Sequence, residues 1–195
     1  MSAGVDEQLT DTEHPTDTEL AARFRRDPEL FTAVYDRYYR DVYRYAAGRL
    51  DVQAGEDVAA ETFLTAFARR DRFDPERGGL RPWLFGIATN LVARHRRAEA
   101  RHYRALAAAP ARADGGHENR VVASVAAERM KPELAAALTA LSRGERDVVL
   151  LVALAQLTHE EVADALGISY GTVGSRLSRA RKKLTKAIDK EAFHG

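Results

Sequence analysis

Residues Leu157 to Leu184, "LTHEEVADALGISYGTVGSRLSRARKKL", carry two helix starts and one helix stop within thirteen positions. Thr158 and Glu161 have the Thr-x-x-Glu spacing of a capping box, with Leu157 before the cap and Val162 after it placed as a hydrophobic staple. Gly167 can take the positive φ that ends a helix, and Ser169 two residues on can cap the next. So short a Gly-containing turn between two locally specified helices is the pattern of a helix-turn-helix. In the second helix Val173, Leu177, Ala180 and Leu184 recur at spacings of four, three and four, which makes them its buried face. The opposite face presents Gly171, Ser175, Ser178 and Lys182, with Arg179 beside it. Small hydroxyl residues at a helix start with cations behind them suit entry into a major groove, where bases and phosphates are within reach. The competing explanation is an ordinary solvated face, since cations near a helix C-terminus are favoured by the dipole.

The formal net charge of +1 hides a separation of charge along the chain. Asp6, Glu7, Asp11, Glu13, Asp17 and Glu19 fall in the first twenty residues, which hold no Lys or Arg, whereas Arg69 to Arg104 holds ten Arg against four acids. Two basic stretches, here and around the second helix of the turn, suggest two contacts with nucleic acid. The absence of Cys excludes disulfides and thiolate metal sites. No apolar run approaches the roughly 20 residues of a membrane span, and the start lacks a basic segment leading into an apolar one. A soluble, cytoplasmic chain without membrane insertion is expected.

Apolar residues at threes and fours mark helices over Phe31 to Leu50 and Glu56 to Arg70, the latter burying Val58, Ala59, Thr62, Phe63, Ala66 and Phe67. The "RFDPERGG" loop then breaks the pattern, and a third helix runs from Arg81 to about Leu106. No strand is convincing. The expected fold is all-α: two small helical bundles, at residues 19–106 and 131–190, each with its own core, joined by a flexible Ala/Gly/Pro-rich linker at 107–130 and preceded by a disordered acidic segment at 1–18.

In the third helix Trp83, Asn90, Arg94, Arg97 and Arg101 share one side. Guanidiniums pair with phosphates and rings stack on exposed bases, so this stripe suits single-stranded or distorted DNA. The loop before it, with Phe73, Arg72, Arg77 and Arg81, has the composition to hold a base turned out of the stack. Core packing is the equal alternative for Trp83.

The blocks "GEDVAAETFLTAFARRDRF", "RPWLFGIATNLVARHRR" and "ALTALSRGERDVVLLVALAQLTHEEVADALGISYGTVGSRLSRARKKL", in that order, resemble a bacterial RNA polymerase sigma factor of the extracytoplasmic-function (ECF) type over roughly Leu20 to Ile188. The resemblance implies a region two that docks on the clamp coiled coil of the polymerase largest subunit and opens the minus-ten element. It also implies a region four that docks on the flap of the second-largest subunit and reads the minus-thirty-five element as duplex. By position, Asp57, Glu61, Thr62 and Phe63 match the polymerase-docking helix, Asn90 falls where the family contacts the minus-ten strand, beside the loop from Phe73 to Arg81, and Thr172, Ser175, Arg176, Ser178 and Arg179 match positions near DNA. Joined to the stripe, loop and helix face read above, this gives Phe73, Arg77, Arg81, Asn90, Arg94, Arg97 and Arg101 for the downstream element and Gly171, Thr172, Ser175, Arg176, Ser178, Arg179 and Lys182 for the upstream one. The family often has an anti-sigma partner. Gly174 stands where relatives commonly have Lys or Arg.

An enzyme would need a nucleophile, paired acids or a metal cluster. His95 and His102, seven apart, would be two metal ligands without a third, and the pairs Glu56/Asp57 and Glu160/Glu161 fall at helix starts, where the dipole accounts for them. No catalytic site, metal or cofactor is expected. The other rival is a free-standing helix-turn-helix regulator, which copurification with core polymerase would separate from a sigma factor.

Overall fold

The computed structural model describes residues 15–108 and 137–192. The expected linker beyond residue 108 and the acidic residues 1–14 lie outside the described residues. The elements are α1 (Asp17–Phe24), α2 (Phe31–Ala47), α3 (Val52–Ala68), α4 (Leu80–Ala108), α5 (Arg143–Ala153), α6 (His159–Leu166) and α7 (Tyr170–Ala192), with single 3-10 turns at Pro28–Leu30 and Arg70–Arg72. No strand occurs among the described residues.

Local signals account for most helix starts. Thr16 and Glu19 close a capping box on α1, so the helix begins inside the segment expected to be disordered, and Leu20 and Phe24 anchor it with fully buried side chains. Asp51 accepts from Ala54 N and starts α3 four residues earlier than its apolar periodicity suggests. Ser142 with Glu145 and Thr158 with Glu161 form two further capping boxes on α5 and α6. Gly167 ends α6 at φ 61°, and Ser169 Oγ accepts from Thr172 N to open α7, as the sequence of that turn requires.

The first unit packs α2 and α3 as neighbours with α4 across them and α1 over one end. Phe24, Phe73 and Trp83 meet ring to ring, with centroids 5.1 to 6.1 Å apart. Trp83 therefore packs and is not a free platform. In the second unit α5 and α6 pack on α7, and Val148, Leu151, Val162, Val173 and Ala180 are completely buried.

The two units do not keep separate cores. One apolar cluster runs from Leu20 and Phe24 through Phe85 and Ala88 on α4 to Leu151, Leu157 and Val162 in the second unit. The reason lies in α6. Eight residues long, it and the turn after it carry Ala163, Ala165, Leu166 and Ile168, which α7 alone does not cover and which lie half-buried against the shared cluster where α4 packs on α6. Gly86 permits the approach, because a Cβ there would sit 2.5 Å from Ala165 O.

Candidate nucleic-acid interface

On α4 the buried face (Leu84, Phe85, Ala88, Leu91, Val92) leaves Asn90, Arg94, Arg97 and Arg101 outward on the opposite side. Arg94 is tied to Glu61 of α3, so one of the polymerase-docking candidates and one of the DNA candidates form an ion pair across two helices. Both groups are well exposed, and water and salt screen the pair. Asn90, Arg97 and Arg101 are exposed as expected.

The loop before α4 is a different matter. Phe73 is 2% exposed, a core ring between Phe24 and Trp83, which corrects its assignment to a flipped base: its apolar area is worth more in the core than at a polar loop surface. Arg77 is exposed. Arg81 turns to the second unit, donating to Ala155 O at 2.5 Å and Gln156 O at 3.3 Å and lying 3.4 Å from Glu161 Oε2. Gln156 itself is non-glycine backbone at φ 55°, so these carbonyls close a tight turn after α5. Between the loop and α6 lies a cleft of about 560 Å³ that includes Arg72, Arg77, Trp83, Asp164 and Gly167 in its walls.

On α3, Thr62 and Phe63 are buried, Thr62 donating to Val58 O at 2.7 Å, so neither offers a docking surface. What α3 presents outward is Asp57, Ala60, Glu61 and Leu64, the last 69% exposed, with Phe67 and Tyr35 partly uncovered beside them. Phe67 was expected to be buried; it sits at the margin, its ring on Phe31 at 4.9 Å and under the Arg70 guanidinium at 4.5 Å. Leu64 was readable from the sequence as an apolar residue out of phase with the buried stripe.

On α7, Gly171, Ser175, Ser178, Arg179 and Lys182 are exposed, and Thr172 is half-buried. Arg176 and Arg179 lean toward α5. The Arg176 guanidinium lies over Gly144, where a Cβ would come within 3.0 Å of it, and Arg179 Nε is 3.6 Å from Glu145 Oε1. Lys183 donates to Glu145 at 2.7 Å. That bond, with the N–H of Ser142, holds the Glu145 carboxyl down at about 2. Glu145 thus caps its own helix and clamps α7 to it. A Cβ at Gly174 would meet nothing within 4 Å beyond its own helix.

A buried polar chain joins the two units. Thr89 Oγ1 donates to Phe85 O, Tyr45 Oη meets Thr89 Oγ1 at 2.7 Å, and Arg49 donates to Tyr45 Oη and to Asp147 of α5. The Arg49 and Asp147 side chains are 3% and 7% exposed. Burial pushes the Tyr45 hydroxyl pKa up, so it stays protonated and can donate to Thr89.

Among the described residues no group of three or more His, Cys, Asp or Glu could hold a metal ion, and no helix is long and apolar enough to cross a membrane.

A helix-turn-helix behind a bundle whose longest helix bears an outward Arg stripe defines a DNA-binding protein of the sigma-70 class. Residues 34–102 match Sigma-70 region 2 and residues 132–184 match Sigma-70, region 4. The chain is 33% identical to the RNA polymerase sigma factor CnrH of Cupriavidus metallidurans over 70% of its length and 74% of the relative's. It is 32% identical to the ECF RNA polymerase sigma factor SigC of Mycobacterium tuberculosis, over 80% of this chain and 82% of that one. Among solved structures, CnrH in complex with the cytosolic domain of CnrY superposes with a TM-score of 0.63 at 28% identity, covering 89% of this chain and 97% of that one. The Bartonella quintana sigma factor RpoE in complex with the anti-sigma factor NepR shares the fold, with a TM-score of 0.60 at 23% identity over 83% and 98%. The chain belongs to the ECF family of RNA polymerase sigma factors and is a transcription initiation factor that directs polymerase to promoters.

Proposed function

We propose that this chain, acting without catalytic chemistry of its own, docks on core polymerase through the outward stripe of α3, Asp57, Ala60, Glu61 and Leu64. It contacts the opened minus-ten strand with Asn90, Arg94, Arg97 and Arg101 of α4, with Arg77 alongside. It reads the minus-thirty-five duplex with Gly171, Thr172, Ser175, Ser178 and Lys182 of α7, Arg176 and Arg179 supporting from the α5 side. The work is done in the cytoplasm, where the polymerase is, and the outward α3 face is also where an anti-sigma partner would compete. The relatives CnrH and RpoE, solved with CnrY and NepR, supply the analogy for that partner.

The observation that carries the reading is the outward placement of two groups of different chemistry on two different helices. Exposed guanidiniums beside an Asn on α4 suit strand phosphates and unstacked bases, whereas small hydroxyl residues at the start of α7 suit a duplex groove. Strand opening costs several stacked steps at roughly 1.4 kcal/mol each, more than one Arg stripe recovers, so opening is expected only with core enzyme. A fluorescent base analogue in the downstream element, read with and without core polymerase, tests this. Opening should appear only when core enzyme is added and should be weakened in an Asn90→Ala, Arg94→Ala double variant. Equal opening by the chain alone would sink the sigma-factor mechanism; normal opening by the double variant would remove α4 as the strand-contact helix.

A further inference from the structure

The charges around Asp147 do not balance. Arg49, in the turn after α2, donates to it from a side chain only 3% exposed. Arg143 lies 3.6 Å from its other oxygen, and Arg146 precedes it on α5. Arg96 of α4 donates to Arg49 O at 2.6 Å. Four guanidiniums therefore gather where α4 and the end of α2 meet α5. The acids set against them among the described residues are Asp147 and Glu99, and Glu99 is shared with His95 at 3.5 Å. An excess of two positive charges remains.

The excess has no internal remedy. Burial, and after it the charges of Arg49 and Arg146, pull the Arg96 pKa down; burial and then Arg49 do the same to Arg146. A lysine in such a place sheds its proton, whereas a guanidinium keeps it. The repulsion is left for an anion to relieve. Donors are at hand to receive one. Arg96 commits one nitrogen to Arg49 O, and Arg146 commits two to the carbonyls of Leu138, Thr139 and Leu141, so each keeps an N–H without a partner among the described residues and open to solvent. The Arg143 side chain is 57% exposed. Within the cluster Arg49 Nε is buried with no hydrogen-bond partner among the described residues, a donor that Asp147 does not satisfy.

We propose that this junction binds a phosphate dianion, free or as the terminal group of a phosphorylated metabolite, with Arg96, Arg143 and Arg146 as its ligands and the buried charge of Arg49 behind them. The forked guanidinium matches phosphate oxygens in pairs, and a phosphomonoester carries about two negative charges near neutral pH, which is the excess to be offset. The bound group bridges α4 of the first unit to α5 of the second, so the joint between them responds to a ligand. The site is separate from both DNA faces: Asn90, Arg97 and Arg101 are exposed on the outward side of α4, and Arg96 turns to Arg49 instead.

Isothermal titration of the full chain with inorganic phosphate, near neutral pH in chloride of constant ionic strength, tests the site. One saturable site is expected, and Tm should rise with phosphate concentration as linkage requires. Arg96→Gln should weaken binding about tenfold or more, the loss of one charge-assisted paired contact. An Arg97→Gln, Arg101→Gln double variant and Lys182→Gln, altered on the DNA faces, should bind phosphate as wild type does. Heat that does not saturate, or that added chloride reproduces, would mean charge screening alone and overturn the site. Full binding by Arg96→Gln with loss in the DNA-face variants would overturn it too, placing the phosphate on a DNA face. If Arg96→Gln fails to fold, as seen by circular dichroism, the exposed Arg143 takes its place: Arg143→Gln should weaken binding, and Arg143→Lys, which keeps the charge without the fork, should restore part of it. Wild-type binding in Arg143→Gln would then refute the assignment. Glucose 6-phosphate separates the two sources. Binding tighter than that of inorganic phosphate assigns the site to a phosphorylated metabolite, weaker binding assigns it to the free ion, and binding of neither refutes it.

Discussion

Glu145 and Asp147 stand two residues apart on α5, both nearly buried, and each is paired with cations. Glu145 turns to its own domain, where Lys183 and Arg179 of α7 reach it from solvent with side chains 45% and 59% exposed. Asp147 turns one oxygen to the other domain, where it meets Arg49, as buried as itself, and the other to the exposed Arg143 one turn earlier on α5 at 3.6 Å. In the first pairing two half-exposed cations share one carboxylate, so either can let go while the other stays, and the pair tunes the pose of the recognition helix. The second cannot lose one member without leaving a charge in a dry interface. One helix therefore carries a soft clamp within a domain and a hard one between domains.

The largest expected effect lies on the hard side. Asp147→Ala leaves Arg49 as an uncompensated buried charge, a loss of about 3–5 kcal/mol to whatever keeps that charge dry, and Arg49→Ala costs less, because Arg143 Nε still lies 3.6 Å from Asp147 Oδ2. The chain has a cheaper response than unfolding, which is to part the domains and solvate the orphan. Calorimetry should accordingly show a single unfolding transition in wild type resolving into two in either variant. Replacing both residues by Met and Leu should restore much of the coupling, since neither charge then has to be desolvated. Unaltered melting in the single variants would break the comparison, because Asp147 would then be no more consequential than an exposed acid.

The soft side should show itself in acid. The folded pKa of Glu145, about 2, lies below its ordinary value of 4.5. Its contribution is thus complete above about pH 4.5 and is lost as the pH falls through about 2. Thermal melts between pH 5 and 2 should fall along an acid limb that Glu145→Gln makes shallower. Because Gln still accepts the Ser142 N–H, the cap should survive, and the effect should be smaller than that of any Asp147 replacement at neutral pH. An identical acid limb in Glu145→Gln would mean that Lys183 and Arg179 do not hold this carboxylate in solution.

The two clamps differ as much in how readable they are from sequence. The α6–α7 turn is specified within a dozen residues by Thr158, Glu161, Gly167 and Ser169, and it stands as those residues require. The outward Arg stripe of α4 follows from helical period alone. The capping box of α1 is legible too, in Thr16 and Glu19, although the acidic, aperiodic residues before it carry no helical pattern. Arg49 and Asp147 are 98 residues apart, with no local pattern to join them. Nor could periodicity show that a short helix with apolar residues left over would be covered by α4, or that Phe73, in a loop of charged and turn residues, would end up in the core. Short-range rules locate each helix and its faces; which face meets which is decided by apolar area left uncovered elsewhere in the chain.

The smallest effect concerns a glycine on the soft side. Gly86 and Gly174 both lie inside helices, but a Cβ at Gly86 would meet the Ala165 carbonyl, whereas one at Gly174 would meet nothing within 4 Å. Gly174 sits just before the part of α7 that Glu145 anchors through Arg179 and Lys183, so the first turns of the recognition helix depend on their own propensity. Gly174→Ala should stabilise the protein by up to about 1 kcal/mol, seen as a rise in Tm, because it raises helix propensity without touching the domain interface. Affinity for the upstream duplex should change little, since Ala adds no donor that could read a base. A large loss of affinity with the same gain in stability would mean instead that the α7 backbone comes so close to DNA at Gly174 that a methyl group is excluded. In that case this position is read by close approach of the helix, and the lack of a basic side chain at residue 174 is what lets the helix sit that deep.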